Sequence, residues 1–170
     1  MATIFKSEQR KFKENSGKID NFRILSDFSI IEKGIKPDNL NFDLRLLNPG
    51  EYSSVYHFHR YTEELFMIIS GSATIRTTEG LEIVNSGDIL FFEKGESGAH
   101  QLYNHTEEKC MYLDIRTFIG YDVCEYPDSD KMLLVPSFEI FEKKAQLDYS
   151  KDYFKGEENV KDKWKQIENK

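Results

Sequence analysis

Two histidines one residue apart, His57 and His59, are the residues of this chain whose type and spacing best suit chemistry. Alternate side chains of a β-strand point to the same face, so the two imidazoles would lie together on one side of a strand. A carboxylate from Glu63 or Glu64, at the start of the next apolar run, would face them from a neighbouring strand. His100, after a glycine-containing loop, would add a third imidazole. This pattern predicts a metal site.

The chemistry of the donor set narrows the choice of metal. Three neutral imidazoles and one carboxylate suit a divalent first-row ion such as zinc, manganese, iron, nickel or copper, whereas calcium and magnesium prefer oxygen ligands. A His-x-His pair alone is a weak pattern, and the prediction rests on three of the four histidines falling in this arrangement. The fourth, His105, lies in the turn-like stretch NHTEEK and is predicted to be an exposed loop residue.

The elements that must position these side chains are short strands. Residues 40–123 contain many short runs of β-branched, aromatic and alternating residues. Turn signals rich in glycine, asparagine and serine separate the runs, at 48–50, 70–71, 79–80 and 86–88. Short strands at such spacing, with no helical period between them, favour an all-β sandwich or small barrel.

The composition divides the chain into three zones within what we expect to be one domain. Residues 1–39 are predicted to form N-terminal strands or an arm packed on the core, residues 40–123 the β core, and residues 124–170 a C-terminal extension. A short amphipathic helix is predicted near the end, because apolar residues recur there at helical spacing. These residues are Val160, Trp164 and Ile167.

Charge and cysteine content exclude several classes of protein. Asp and Glu outnumber Lys and Arg by 30 to 23, a formal net charge of −7 that would repel a nucleic-acid backbone. Cys110 and Cys124 are too few for a disulfide framework and are predicted to be reduced thiols. The polar N-terminal stretch lacks the apolar core of a signal peptide, and no apolar run approaches a membrane span. We therefore expect a soluble cytoplasmic protein that binds neither nucleic acid nor membrane.

The segment from Gly50 to Gly71 resembles the first motif of the cupin family. That motif has a glycine, a His-x-His pair, a glutamate and a closing glycine, which correspond here to Gly50, His57, His59, Glu64 and Gly71. The family's usual spacing between the second histidine and the glutamate selects Glu64 over its neighbour. His57 follows Gly50 one residue later than is usual.

The segment from Gly87 to Asn104 resembles the second cupin motif, with Gly87, Gly95, His100 and Asn104 in place. Two departures lie before the histidine. A glutamate, Glu93, stands where the family usually has proline, and the dipeptide Ser-Gly at 97–98 lengthens the loop. The number of residues between His100 and Asn104 is the same as in the family motif.

The resemblance covers about residues 40–116 and is closest to small single-domain bacterial cupins of unassigned activity. It implies a conical β-barrel or jelly roll, the double-stranded β-helix, enclosing one divalent transition metal such as zinc, manganese, iron or nickel. The implied ligands are His57, His59, Glu64 and His100. Some such cupins carry sugar-phosphate-isomerase-like names.

Strand parity predicts which neighbours of the ligands face the pocket. Phe66 and Ile68 share the parity of Glu64 and should point inward. Leu65, Met67 and Ile69 should point outward and need a cover. A second subunit or the terminal segments could provide it, so a homodimer is expected. Parity also points Tyr56 and Tyr103 outward. Arg76 could bind a phosphate or carboxylate, but because charged residues mostly lie outside, a solvated strand arginine is the favoured interpretation.

Three functions remain open. The first is a metal-dependent enzyme acting on a small molecule, either an isomerase or epimerase of a sugar or sugar phosphate or an oxygenase such as a dioxygenase. The second is a non-catalytic module that binds a small ligand for sensing or storage, and the third, weaker one is a structural role. Catalytic residues stay unassigned. The polar candidates near the pocket are Tyr52, Tyr56, Glu63, Tyr103, Asp114 and Arg116.

Overall fold

The computed structural model describes residues 2–14, 21–22, 25–27, 30, 33–117, 119–143, 149–153 and 155–156. These residues form antiparallel strands almost throughout, so the predicted all-β class is confirmed. The first seven strands are β1 Lys13–Glu14, β2 Leu25–Asp27, β3 Leu40–Leu47, β4 Phe58–His59, β5 Glu64–Ser70, β6 Ser72–Thr77 and β7 Gly80–Asn85. The next six are β8 Ile89–Phe92, β9 Gln101–Tyr103, β10 Cys110–Thr117, β11 Asp122–Tyr126, β12 Lys131–Val135 and β13 Glu139–Glu142.

The strands pair in three antiparallel sheets. The largest has the order β1-β2-β3-β10-β5-β8, a second has the order β13-β12-β11-β4, and a third has the order β7-β6-β9. Neighbours in a sheet are often distant in the chain, as in the pairing of β10 with both β3 and β5. Such crossovers are typical of the double-stranded β-helix, which agrees with the predicted fold class.

The alternation of β5 shows how the sequence builds the core. Phe66 and Ile68 are buried, as predicted, together with Glu64. Met67, on the opposite face, is 40% exposed, and its partner across the strand pair, Ile89, is 64% exposed. The buried face of β5 packs against apolar side chains from six other strands. These are Leu47, Ala73, Ile75, Val84, Phe92, Leu102, Cys110 and Tyr112.

The glycine of the turn between β5 and β6 is required by geometry. Gly71 has a φ of +80°, and a Cβ added to it would lie 2.4 Å from the backbone oxygen of Lys109. A larger residue would therefore clash with backbone and strain its own φ. This close approach fixes the register between the hairpin and the start of β10.

The C-terminal part of the chain contains further strands. Three of them, β11 to β13, lie within residues 122–142, and β11 begins at the end of the segment predicted as the β core. The helix predicted around Val160, Trp164 and Ile167 lies outside the described residues. A different short helix, α1, spans Tyr149–Asp152.

Two other predictions concern the cysteines and the membrane. Cys110 and Cys124 are both buried free thiols, as predicted. Among the described residues, no helix has the length and hydropathy needed to cross a membrane.

Candidate metal centre

A cavity of about 780 Å³ lies between the sheets and is large enough for a small molecule. His57, His59 and Glu64 line it, together with aromatic and aliphatic side chains from the large sheet and from β11 and β12. Most of its wall is therefore apolar, while its ionisable groups are concentrated around Glu64.

The structure brings together all four residues predicted as metal ligands. His57, His59 and Glu64 each place one potential ligand atom in this group, and the three atoms lie within 4.8 Å of one another. His100 is buried, and its Nε2 lies 3.1 Å from Oε2 of Glu64. The same carboxylate oxygen lies 3.3 Å from Nε2 of His59.

Backbone pairing explains how histidines 43 residues apart in the chain become neighbours. His57 and His100 form an isolated antiparallel bridge, with amide-to-carbonyl distances of 3.2 and 2.9 Å. The two rings consequently stand 4.7 Å apart. His59 ends β4 and Glu64 begins β5, so the turn between these strands sets the glutamate opposite the rings.

Each histidine is held by its Nδ1, and Nε2 of His59 and of His100 lies close to the Glu64 carboxylate. An imidazole whose Nδ1–H donates a hydrogen bond presents an unprotonated Nε2, the arrangement usual in metal-binding histidines. The three Nδ1 pairs are His57 with the Val55 carbonyl at 2.8 Å, His59 with Asp122 Oδ2 at 2.5 Å, and His100 with the Gly98 carbonyl at 2.8 Å.

Three polar atoms at the meeting point are buried and, among the described residues, have no hydrogen-bond partner apart from one another. They are Nε2 of His59, Nε2 of His100 and Oε2 of Glu64. Leaving such atoms unsatisfied is costly, and orphaned buried groups are rare in native proteins. One divalent transition metal between them would satisfy all three, and nitrogen and carboxylate donors suit zinc, manganese, iron or nickel. The residues present thus fit the metal that the cupin resemblance implies.

The electrostatics of the site centre on Glu64. Burial acts to raise the pKa of its carboxyl group. The adjacent His100 and His59 stabilise the carboxylate by more than burial disfavours it, so the pKa lies below its ordinary value. Burial lowers the pKa of His57 to about 3, with further lowering by His100. The pKa of His59 is raised to about 12, because its bonds to Asp122, Cys124 and Glu64 overcome burial. A cation bound here would displace the proton that His59 holds.

The loop that departs from the second cupin motif positions His100. Gly98 ends a 3-10 turn and supplies the carbonyl that accepts from Nδ1 of His100. A Cβ on Gly98 would lie 1.9 Å from the backbone oxygen of Glu93, so only glycine fits. The ring of His100 also stacks on Phe92, with 3.7 Å between ring centroids.

The strand β11 contributes residues that the sequence analysis did not identify. Asp122 and Cys124 lie beside His59 and form with it a second group of metal-ligand types. The other carboxylate oxygen of Asp122 accepts hydrogen bonds from the backbone amides of Tyr61, at 3.0 Å, and Val123, at 2.8 Å. Local sequence gave no sign of this role, because Asp122 follows His59 by 63 residues.

A buried ion-pair cluster adjoins Glu64 on the side away from the histidines. Arg45 bonds Asp114 at 2.8 Å, and Arg116 approaches both Asp114 and Asp43. Asp114 and Arg116 were among the polar candidates, whereas Arg45 was not. Burial raises the pKa of Asp114 to about 7 against the lowering effect of the two arginines. Arg45 and Arg116 line the cavity.

The remaining polar candidates lie away from the cavity. Tyr52 and Tyr103 stack on each other at 4.6 Å, and Glu63 is half-buried outside the cavity lining. Tyr56 faces away from the cavity, as parity predicted, but it is buried rather than on the surface, because it packs with Phe58.

Arg76 and His105 lie outside the cavity as well. The prediction that Arg76 is a solvated strand residue was incomplete. Its guanidinium covers the ring of Tyr56 and forms two bonds, of 2.5 and 2.8 Å, with Asp128. His105 is exposed, as predicted, and its Nδ1 contacts the hydroxyl of Thr74.

Comparison with known proteins identifies the domain. Residues 44–116 match the family model of the cupin domain. None of the curated proteins matches the chain.

Solved structures share the fold over most of the chain. A proposed sugar phosphate isomerase from Acidithiobacillus ferrooxidans has a TM-score of 0.73 and 22% identity, over 85% of this chain and 96% of that one. A cupin-superfamily sugar phosphate isomerase from Silicibacter pomeroyi has a TM-score of 0.71 and 21% identity, over 87% of this chain and 98% of that one. A predicted oxalate decarboxylase from Thermotoga maritima covers 68% of this chain and 99% of its own length at 17% identity, with a TM-score of 0.54. The match over residues 44–116 and the antiparallel β architecture together support a small cupin-domain protein.

Proposed function

We propose that this chain is a metal-dependent cupin that binds a small oxygen-rich molecule in its cavity and isomerises it. His57, His59, Glu64 and His100 are the proposed ligands of one divalent transition metal. The observation that carries the proposal is the convergence of three buried, unpartnered ligand atoms on one point at the cavity wall. Such a cation would act as a Lewis acid toward a carbonyl or hydroxyl oxygen of the ligand.

The chain's own residues prepare the site for this chemistry. The three Nδ1 hydrogen bonds keep the imidazoles fixed and oriented before any cation arrives. The aromatic lining, including Phe66 and Tyr112, keeps bulk water away from a bound molecule. The cavity volume suits a sugar or sugar phosphate, and two structural neighbours carry the name of a sugar phosphate isomerase. These points support an isomerase over the dioxygenase and binding-module alternatives.

The first experiment measures the metal content of protein purified without chelators, by mass spectrometry of the elements. Wild type is expected to carry about one transition-metal ion per chain, and His57→Ala close to none, because each ligand lost removes a coordination bond. His105→Ala is the matched control, since it removes the exposed fourth histidine, and should keep the metal. Equal metal content in His57→Ala and wild type would contradict the proposal.

The second experiment tests turnover in metal-replete wild type. A panel of aldose and ketose phosphates is followed by NMR for interconversion, with His57→Ala as the control for metal dependence. Interconversion lost in His57→Ala supports an isomerase. If the iron-loaded protein consumes oxygen instead, the isomerase proposal is wrong and an oxygenase is favoured. If the protein is inactive in both assays and holds a ligand tightly, a binding module is favoured.

The oligomeric state and location remain predictions. We propose a cytoplasmic homodimer, supported by the exposed apolar side chains on the outer faces of β5 and β8. Sedimentation velocity at several concentrations would test the dimer.

A further inference from the structure

The cavity contains two arginines that the proposed metal ligands do not account for. Arg45 lies on β3 and Arg116 on β10, and both side chains line the cavity. Arginines are almost never enclosed unless their charge is matched, and burying unmatched donors is costly. Their partners therefore indicate what else could bind here.

Each guanidinium is only partly satisfied by protein. Arg45 uses Nη2 for Asp43 and Asp114, at 3.2 and 2.8 Å. Arg116 uses Nη2 for Asp43, at 2.7 Å, and its Nε forms an ion pair with Oδ1 of Asp114 at 3.2 Å. The Nε of each arginine is buried and makes no well-aligned hydrogen bond to a described residue. In the described part of the chain, Nη1 of neither arginine bonds a protein atom, and neither Nη1 is among the enclosed atoms.

The arginines are separated from the proposed cation by a single carboxylate. Oε2 of Glu64 faces the histidines, whereas Oε1 lies 3.9 Å from Nε of Arg116. A further donor lies nearby, because the hydroxyl of Tyr112, which also lines the cavity, has no hydrogen-bond partner among the described residues. Both carboxylate oxygens of Asp114 are likewise buried without a hydrogen bond to those residues, but Asp114 does not line the cavity, so the groups of this cluster that reach the cavity are mostly donors.

The charge balance favours an anion. With every carboxyl counted as ionised, the cluster holds two positive groups, the arginines, and three negative ones, Asp43, Asp114 and Glu64. A divalent cation on Glu64 turns this formal net charge of −1 into at least +1. A ligand with one acidic group would restore neutrality, and guanidinium groups bind carboxylate and phosphate with strong, directional hydrogen bonds.

We propose that Arg45 and Arg116 bind the acidic group of the cavity ligand, a small molecule with one carboxylate or phosphate next to oxygen atoms that reach the cation. This inference rests on the proposed metal site. It narrows the ligand to a hydroxy acid, a sugar acid or a sugar phosphate and excludes neutral sugars.

Isothermal titration of zinc-loaded protein with inorganic phosphate and with glycolate tests the inference. Wild type should bind one or both, and Arg116→Gln should lose at least about tenfold in affinity, because charge-assisted hydrogen bonds are removed. Arg76→Gln is the matched control, since it removes the same charge outside the cavity, and should bind like wild type. The tighter probe identifies the acidic group as phosphate or carboxylate.

Zinc affinity is measured in parallel so that the two proposals fail separately. Wild type without zinc binding would refute the metal site, whereas zinc binding with equal anion affinity in wild type and Arg116→Gln would refute the arginine subsite alone. Should Arg116→Gln fold poorly, crystals of the wild type soaked in selenate decide the matter. Selenium density beside Arg45 and Arg116 supports the inference, and its absence there overturns it.

Discussion

His59 lies between two regions of the molecule that contribute to the site in different ways. On one side, the matched segment 44–116 supplies Glu64, whose Oε2 lies close to Nε2 of His59, and His100, whose Nε2 lies close to the same oxygen. On the other side, β11 lies outside that segment and supplies Asp122, which bonds Nδ1. The first region offers the atoms that would contact a cation, and the second fixes the orientation of one of them. The comparison separates residues that would bind from residues that position.

Removing a donor from the cupin segment should have the largest effect. His100→Ala is expected to weaken zinc binding by more than the roughly 10- to 100-fold that loss of an outer hydrogen-bond partner costs. The reason is that a coordination bond and the ring stacked on Phe92 are both lost. Competition with a chromophoric chelator gives the zinc affinity.

The exposed His105 provides the control for this change, because His105→Ala removes an imidazole without touching the site. Similar zinc affinities in the two variants would remove His100 from the proposed ligand set.

Changing the positioning residue should have an intermediate effect. Asp122→Asn keeps the size of the side chain but loses the charge that orients His59, so zinc affinity should fall by about 10- to 100-fold. Cobalt-substituted protein should show a changed visible spectrum, which a purely structural role would not produce.

Asp128→Asn, in the turn after β11, is the matched control because it changes an exposed carboxylate on the same hairpin. An unchanged cobalt spectrum and zinc affinity in Asp122→Asn would mean that β11 only closes the cavity.

The ion pairs that join β11 to the rest of the protein should affect the stability of the fold rather than zinc binding. Glu125 is 4% exposed and bonds Lys143 at 2.6 Å as well as Arg60. Glu125→Gln should lower the free energy of unfolding by about 1–3 kcal/mol, because its buried carboxylate no longer accepts two charge-assisted hydrogen bonds, from Lys143 and Arg60. Denaturant titration at neutral pH measures this loss.

The pH dependence of this loss follows from the pKa of Glu125. Burial acts to raise that pKa, but the bonds from Lys143 and Arg60 outweigh it and lower the pKa. The stabilisation is therefore present above the ordinary glutamate value of about 4.3 and disappears as the pH falls through the folded value. A stability difference between wild type and variant that persists under strongly acidic conditions would contradict this assignment.

The exposed ion pair between Arg76 and Asp128 should have the smallest effect on stability, and it serves as the comparison for Glu125. Arg76 and Asp128 are 39% and 49% exposed at their side chains, so Arg76→Gln should cost less than about 1 kcal/mol. If Arg76→Gln loses more free energy of unfolding than Glu125→Gln, the proposed ranking of the two ion pairs is wrong.

Local pattern was enough to predict the strands and the candidate ligands. Strand parity placed His57 with His59 and set Phe66 and Ile68 inward, and the motif spacing selected Glu64. These predictions depend only on residues close together in the chain, whose geometry the strand period fixes.

The ion-pair cluster could not be predicted in the same way. Asp43 and Arg45 alternate along β3 as residues on a solvated face would, and so do Asp114 and Arg116 on β10. Antiparallel pairing sets Asp114 opposite Asp43, and the charges of one strand are matched by those of the other inside the protein. The burial of such residues depends on partners that are about 70 residues away in the chain, so local periodicity does not predict it.

The sequence by itself determined the β class, because strand periodicity acts over a few residues, and it indicated the four candidate ligands through the resemblance of their spacing to the cupin motifs. Only the tertiary structure decided that β11 pairs with β4, with Cys124 opposite His59, and so brings Asp122 to the imidazole. It also decided that two arginines line the cavity beside Glu64. The physical reason is that long-range strand pairing is set by the packing of the whole core, and a side chain's partners follow from that pairing rather than from its neighbours in the chain.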